Sequence, residues 1–552
     1  MQKGIFGRVA LVLWLVAVAP VFAARQEEST AISPAEPGLI AALVANIQEG
    51  LATLGFYTAS GLGDMDTTTA AAIRAYQIAW RLPPDGLPTV ALLEHIGTSV
   101  RMRRMTDQLE ARAVPDDAAA RAALLQSAET RDLVSPKSGP ARSPAPGLEL
   151  CLAAPSAACL LEAAVNSAAV ERASWLRDWA FGEIVAVQAR AGLSDEARAT
   201  LRRITDARLV VVSLGDMAAG LARGGRVVEA EATAATVPDI THRLRALLEI
   251  AHVETPEAAR AILLRVLGDA ASIVDATQRL STIAATAIAL HRAGDSAAAA
   301  EALSAARRLL ETDRTVADRA GAAAAIATAL ADIDRTNDAI NLLSQVSDGS
   351  MRSPALLAIA RAEARAGETD AALATLDGVS ESGFRATVLA DIAVERSMTG
   401  NLDIVRKLLV QSLDAGAAIG ESFARSYAVA AATRAMIDLD WIDDATRLAR
   451  SIADPGLRAQ FLWRIAAIQA KGGMKEAPTT ELQAVVATSA VESRLTRVWV
   501  LTEAATARIR DGDREGARRP LDRAIREADA IPVGWTNARA LARIADVFIE
   551  LQ

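Results

Sequence analysis

The sequence predicts an all-α protein, and three observations carry that expectation. A turn residue, Gly or Asp, returns about every 33 or 40 residues from Gly192 onward, usually with Ala five positions later. The pairs are Gly192/Ala197, Gly225/Ala230, Gly294/Ala299, Asp334/Ala339, Gly367/Ala372, Gly400/Val405, Asp440/Ala445, Gly472/Ala477 and Gly512/Ala517. A fixed period of this size marks a stacked array of helix pairs, in which no unit buries its apolar faces alone. Composition is the second observation: 51% of the 552 residues are apolar but only 3% aromatic. A core of Ala, Leu, Ile and Val lets helices approach closely and does not suit a β-sandwich. Apolar residues at helical spacing are the third, as at Leu356, Ile359, Ala360 and Ala364 ahead of the turn at Gly367. The chain is too long for one compact core, so an array or several domains are expected.

Residues 1–23 read as a secretory signal. Lys3 and Arg8 precede the apolar run Ala10–Val21, and Val21-Phe22-Ala23 fits a small-x-small cleavage site. The run is shorter than the ~20 residues of a membrane span, although an uncleaved anchor is the alternative reading. No integral membrane segment is expected after cleavage. The mature chain is expected to be exported, most simply to a bacterial periplasm.

Residues 38–97 read as a small three-helix unit. Ile47, Leu51 and Leu54 share one helical face, and Gly55 ends that helix. A glycine-rich loop covers Ser60–Asp66, Thr67–Thr69 offer N-caps for a second helix, and Leu82-Pro-Pro-Asp-Gly86 turns the chain into a third. Ile47-Gln48, Leu54-Gly-Phe-Tyr57, Ala72-Ile73, Tyr76-Gln77, Leu82, Asp85-Gly86 and Leu92 together resemble the peptidoglycan-binding-domain-like family. The resemblance implies a wall-binding anchor, with Tyr57, Gly63, Asp64 and Trp80 as candidate surface contacts. The chain departs from the family at Leu62–Asp66, where an Asp-Gly-x-Phe/Tyr-Gly loop is usual, and Tyr76 stands where the family has Phe.

Residues 98–147 read as a helical stalk followed by a linker, since 134–147 are rich in Pro, Ser and Gly. The array is expected over 148–552. Cys151 and Cys159 are the only cysteines, and an oxidising compartment favours a disulfide between them over two buried thiols or a metal site. An Arg recurs near the start of the first helix of many units: Arg279, Arg319, Arg352, Arg385, Arg425, Arg458, Arg497 and Arg539. Long and short units differ by about seven residues, two helical turns, which keeps the apolar face in phase. The turn residue and its Ala resemble the tetratricopeptide repeat superfamily. The Trp/Leu-Gly-x-x-Tyr signature and closing Pro of that family are mostly missing, so the resemblance implies an α-solenoid of degenerate tetratricopeptide-like helix pairs. Residues 243–279 use Glu254-Thr-Pro-Glu257 in place of a turn glycine. The last segment, 544–552, has no evident polar cap, so an open, elongated rod with a free terminal face is expected.

No catalytic constellation is apparent. His95, His242, His252 and His291 are isolated in sequence, and no Cys-x-x-Cys, His-Glu-x-x-His or phosphate-cradling loop occurs. Trp175, Trp179, Trp441, Trp463 and Trp499 read as core residues, with a Trp175/Trp179 surface patch as the alternative. The net charge of −8 carries no basic stripe, which argues against nucleic acid as a partner. The expectation is therefore a non-catalytic exported scaffold, without cofactor or metal, that binds peptidoglycan and recruits a protein or peptide on its solenoid. The alternative is an accessory subunit of a wall-remodelling or polysaccharide-export complex whose small domain docks a partner.

Overall fold

The computed structural model describes residues 37–58, 63–80, 82–135, 151, 154–347, 349–379, 382–397, 402–420 and 422–551. The signal-like segment, most of the Pro/Ser-rich linker and Gly400 lie outside these described residues. All regular structure among the described residues is helical, as expected. The chain divides into two compact units, Met1–Ala113 and Val114–Gln552.

The first unit holds α1 (Pro37–Thr53), α2 (Thr67–Ala79) and the start of α3 (Val90–Gln126). Ile47, Leu51, Ile73, Tyr76, Leu92 and Ile96 form its core. Asp66 caps α2, its carboxylate accepting from the Thr69 amide at 2.7 Å, a bond that holds the Asp66 carboxyl below its ordinary value.

The second unit begins at Val114, within the stretch read from sequence as a stalk. Leu124 on α3 and Leu133 on α4 (Ala128–Val134) join the array's core. Asp117 accepts from the Ala207 amide at 2.5 Å, and Asp132 binds Arg202 at 2.6 Å. The charged pattern of this stretch therefore serves docking.

The array has two kinds of helix. The A helices are α6 (Ser174–Arg190), α8 (Ala207–Arg223), α10 (Ile240–Ala251), α12 (Ala276–Arg292), α14 (Arg319–Asp332) and α16 (Gly349–Ala366). They continue with α18 (Ser382–Ser397), α20 (Ser422–Asp438), α22 (Pro455–Lys471), α24 (Arg494–Arg510) and α26 (Trp535–Leu551). The B helices between them are α7 (Ser194–Leu201), α9 (Val227–Ala235), α11 (Pro256–Ala270), α13 (Ser296–Thr312) and α15 (Thr336–Leu343). The rest are α17 (Thr369–Leu376), α19 (Leu402–Ala417), α21 (Ile442–Ser451), α23 (Ala477–Ser489) and α25 (Arg514–Asp529).

The repeated turn and Ala do the work the period implies. Gly192 has φ +79, and Asp334 (φ +62) and Asp440 (φ +61) fill the same left-handed position, which Gly adopts without strain and Asp tolerates. Ala197, Ala230, Ala299, Ala339, Ala372, Ala445 and Ala517 are fully buried where the B helix meets its A helix. Ala372→Leu is expected to overpack that contact and cost about 1–3 kcal/mol in denaturant unfolding. One pair is misplaced in the sequence reading. Gly472 ends α22 with φ −79, and the left-handed residue is Gly473 (φ +66). The turn there is longer; Ala477 is still buried, and Thr480 one turn on is fully enclosed.

The recurring Arg has a structural task. A helix leaves its last carbonyls without intrahelical partners. Arg458 donates to the Ile452 carbonyl at 2.8 Å, Arg385 to Leu376 at 3.0 Å and Arg425 to Ile419 and Gly420 at 3.1 and 3.0 Å. These A helices thus cap the B helix before them, as Arg319 does at the Leu310 and Asp313 carbonyls, whereas Arg279 pairs with Asp313 and Arg497 with Glu527. Arg539 departs from the series. Asn537 takes over, its side-chain amide donating to the Ala528 and Ile531 carbonyls, and Arg539 points elsewhere.

The expected open rod is contradicted. Among the described residues no B helix follows α26, and no A helix directly precedes α5 (Ala157–Ala169). The two pack against each other, α26 also packs on α6, and α5 fills the B position of the last pair. Ser167 donates to the Gly534 carbonyl at 3.0 Å, and Arg190 on α6 pairs with Asp546 and Glu550 on α26 at 2.6 and 2.8 Å. The free terminal face expected at 544–552 is covered, because each end of the array supplies the half the other lacks. Among the described residues eleven A helices then form an unbroken circuit, each packed on the next, while successive B helices stand farther apart and meet through long side chains such as Arg265 on Glu231 and Arg450 on Gln483. In a closed circuit the layer whose helices touch has the shorter circumference, so the A helices are the inner layer. Cys151 and Cys159, just ahead of and within α5, are joined by a disulfide.

Candidate functional site

In the first unit two buried amides organise the surface. Gln48, fully buried on α1, donates to Tyr57 Oη at 3.1 Å, the Asp64 carbonyl at 3.1 Å and Thr69 Oγ1 at 2.8 Å, and accepts from the Gly63 amide at 2.7 Å. Gln77 on α2 donates to Asp85 Oδ1 at 2.7 Å and accepts from the Gly86 amide at 2.9 Å. Buried polar groups need partners, and each glutamine meets that need by pinning a loop.

The four candidate contacts fall into different places. Tyr57, Gly63 and Asp64 gather around Gln48. Tyr57 is not a surface contact: it is 4% exposed, and its hydroxyl is a partner of the buried amide. Gly63 is half-buried with its amide committed to Gln48, and Asp64 is exposed. Trp80 is outside this hydrogen-bonded set. It is 43% exposed, at the end of α2, with its ring 6.1 Å from Tyr76 and 5.6 Å from His95.

Sequence reasoning missed the group beneath Trp80. Tyr76 is fully buried, yet its hydroxyl bonds His95 Nδ1 at 2.6 Å and Ser99 Oγ at 2.8 Å. Burial raises the Tyr76 hydroxyl above its ordinary value, and the Ser99 bond opposes the rise. A Tyr where Phe is usual was the available signal, since a buried hydroxyl requires a partner. His95 is therefore not isolated.

On the array's inner layer, neighbouring A helices are tied by ion pairs. Asp391 on α18 binds Arg361 of α16 at 2.7 Å and Arg434 of α20 at 2.5 Å. Arg464 binds Asp438 at 2.9 Å, and Arg543 binds Glu503. Three tryptophans meet at the closure. Trp179 and Trp535 stack at 5.7 Å, and the Arg539 guanidinium lies 4.2 Å from the Trp179 ring and 5.1 Å from Trp499, held by Glu183 at 2.7 Å. Only Trp463 among the five expected core tryptophans is fully enclosed, its indole donating to Thr488 at 3.1 Å. Trp175 is 68% exposed, and Arg406 lies over Trp441.

Among the described residues no group of three or more His, Cys, Asp or Glu is arranged to hold a metal, and no helix is long and apolar enough to cross a membrane. Comparison with curated proteins gives no match to the chain. Residues 41–96, which span the Gln48 and Gln77 networks and Trp80, match the family described as "Putative peptidoglycan binding domain". That match supports a peptidoglycan-binding module at this end of the chain and suggests association with the cell wall.

Proposed function

We propose that the chain is an exported, non-catalytic scaffold. Its module at 41–96 holds it to peptidoglycan, and its closed array of tetratricopeptide-like helix pairs recruits a protein or peptide. The single observation that carries the wall-binding half is the family match. The exposed Trp80 ring, braced by Tyr76 and His95, is the contact best placed to stack on a ligand. Asp64 offers a nearby polar group on the Gln48 loop. Aromatic anchors dominate recognition surfaces when truncated.

Sedimentation of full-length protein with purified sacculi tests the reading. Wild type is expected in the pellet, and Trp80→Ala is expected to lower retention about tenfold while leaving helical content unchanged. Full-length protein that stays in the supernatant contradicts wall binding. A second reading has one observation in its favour: Tyr57 and the Gly63 amide are consumed by Gln48, which leaves the module fewer free contacts. In that reading the chain is an accessory subunit of a wall-remodelling or export complex and the module docks a partner. Retention on sacculi that survives deletion of 38–97 favours it.

A further inference from the structure

Among the described residues, a group of inner-layer charges between α8 and α10 is not tied together. Between α8 and α10 a pocket is rimmed by Asp216, Arg223, His242, Arg245 and Glu249. Its floor is small and apolar, made of Gly215, Ala219 and Ala246. Two features of the wall open it. On its other side α8 is drawn tightly onto α6, where a Cβ at Gly220 would collide with the Ala186 carbonyl and one at Gly224 with the Arg190 carbonyl. The facing helix α10 has 12 residues where α8 has 17, so the wall is lower there.

The rim differs from the rest of the inner layer in its pairing. Elsewhere Arg190, Arg361, Arg434, Arg464, Arg539 and Arg543 each reach a carboxylate. None of the five rim side chains makes a hydrogen bond or ion pair among the described residues, although Asp216 lies close enough to feel the charges of Arg245 and Arg223. All four charged side chains of the rim are exposed and so open to a ligand from solvent. Two guanidiniums and two carboxylates thus face one cavity without satisfying each other. A purely anionic ligand would meet Asp216 and Glu249, and a purely cationic one would meet Arg223 and Arg245. A ligand that carries both signs a few bonds apart satisfies all four.

We propose that this pocket binds an amino-acid-type zwitterion, with its carboxylate on Arg223 and Arg245 and its ammonium on Asp216 and Glu249. Guanidinium suits planar carboxylate recognition, and the apolar floor accommodates the carbon skeleton. The ligand is either a free amino acid or an unlinked residue of a wall peptide, which share this chemistry. The assignment does not rest on the module's affinity for the wall.

Calorimetry on the full-length protein tests it, with L-lysine and 2,6-diaminopimelate as probes and butyrate and butylamine as single-charge controls. Saturable one-to-one binding is expected for at least one zwitterion and not for either control. Arg245→Gln and Asp216→Asn are each expected to weaken binding about tenfold or more, with sacculus retention unchanged. Diaminopimelate binding without lysine binding identifies the wall as the source, and equal binding identifies free amino acids. Absence of saturable binding by both zwitterions, equal binding of a control, or wild-type affinity in both variants overturns the proposal.

Discussion

Gln48→Leu is expected to unfold the module and abolish sacculus retention while the array keeps its helical signal. The substitution keeps the side chain's bulk and removes all four hydrogen bonds that Gln48 makes to Tyr57, Asp64, Thr69 and Gly63. Each buried group left without a partner costs roughly 1–3 kcal/mol, and a core of about 60 residues rarely supplies more than ~3–5 kcal/mol in total. The Thr69 hydroxyl and the Asp64 carbonyl still bond each other, so the loss centres on the Gly63 amide and is a large share of what Ile47, Leu51, Ile73 and their neighbours hold in reserve. Gln48→Glu is a useful partner variant, since a carboxylate accepts from Gly63 but cannot donate to Asp64. Limited proteolysis checks both: cleavage within 38–97, with the array resistant, is the predicted pattern. A Gln48→Leu module that resists cleavage and still binds sacculi contradicts the account of the loop.

Removal of α26 is the second large effect. In an open repeat array the last helix contacts only its neighbour, and its loss frays one end. Here α26 packs on α24 and α25 before it and on α5 and α6 at the other end of the chain. Burial of Leu541, Ile544 and Val547 alone contributes on the order of 5–9 kcal/mol. Truncation after residue 534 also strands Arg190 without Asp546 and Glu550, and Glu183 without Arg539. The truncated chain is expected to lose amide protection at both α6 and α24 in hydrogen exchange. Protection lost at α24 alone is the outcome for an open array. Leu160→Ala on α5 is a milder version, expected to cost about 2–5 kcal/mol at a fully enclosed position.

The two effects divide along what is legible in the sequence. Local features are legible. The left-handed turn residues and the enclosed alanines of the array follow from a five-residue spacing, and the module's helices follow from its apolar faces and loop chemistry. What escapes is set by contacts between distant residues. Ser167 meets Gly534 across 367 positions, and no local pattern records that pairing. Its trace is a mismatch of halves among the described residues: a B-type helix at Ala157–Ala169 without its A helix, and an A helix at Trp535–Leu551 without its B helix. The recurring Arg was visible, but its task as a cap on the preceding helix depends on how successive pairs stack. Arg539 shows the limit of counting, since a shift of one position relative to Arg458 and Arg497 turns a side chain about 100° around the helix and delivers it to three tryptophans.

Tyr57 illustrates the same limit in the module. An aromatic beside a glycine reads as a surface contact, whereas its hydroxyl is spent inside on Gln48. Trp80 reads the same way in sequence and is exposed, because the chain leaves α2 at that residue. The pocket between α8 and α10 was illegible for a further reason. His242 lies alone in sequence, and its company comes from a neighbouring helix.

Closure of the array is the claim on which the inner layer, its pairing and its pocket all depend. Val170 and Val533 are exposed on the two sides of the junction, and the native cysteines are joined to each other. Spin labels on Val170→Cys and Val533→Cys report the separation directly by pulsed electron resonance. The closed array predicts one narrow distance of about 10–20 Å, one or two helix spacings. A broad distribution near ~80–100 Å, the span of ten such spacings end to end, contradicts it.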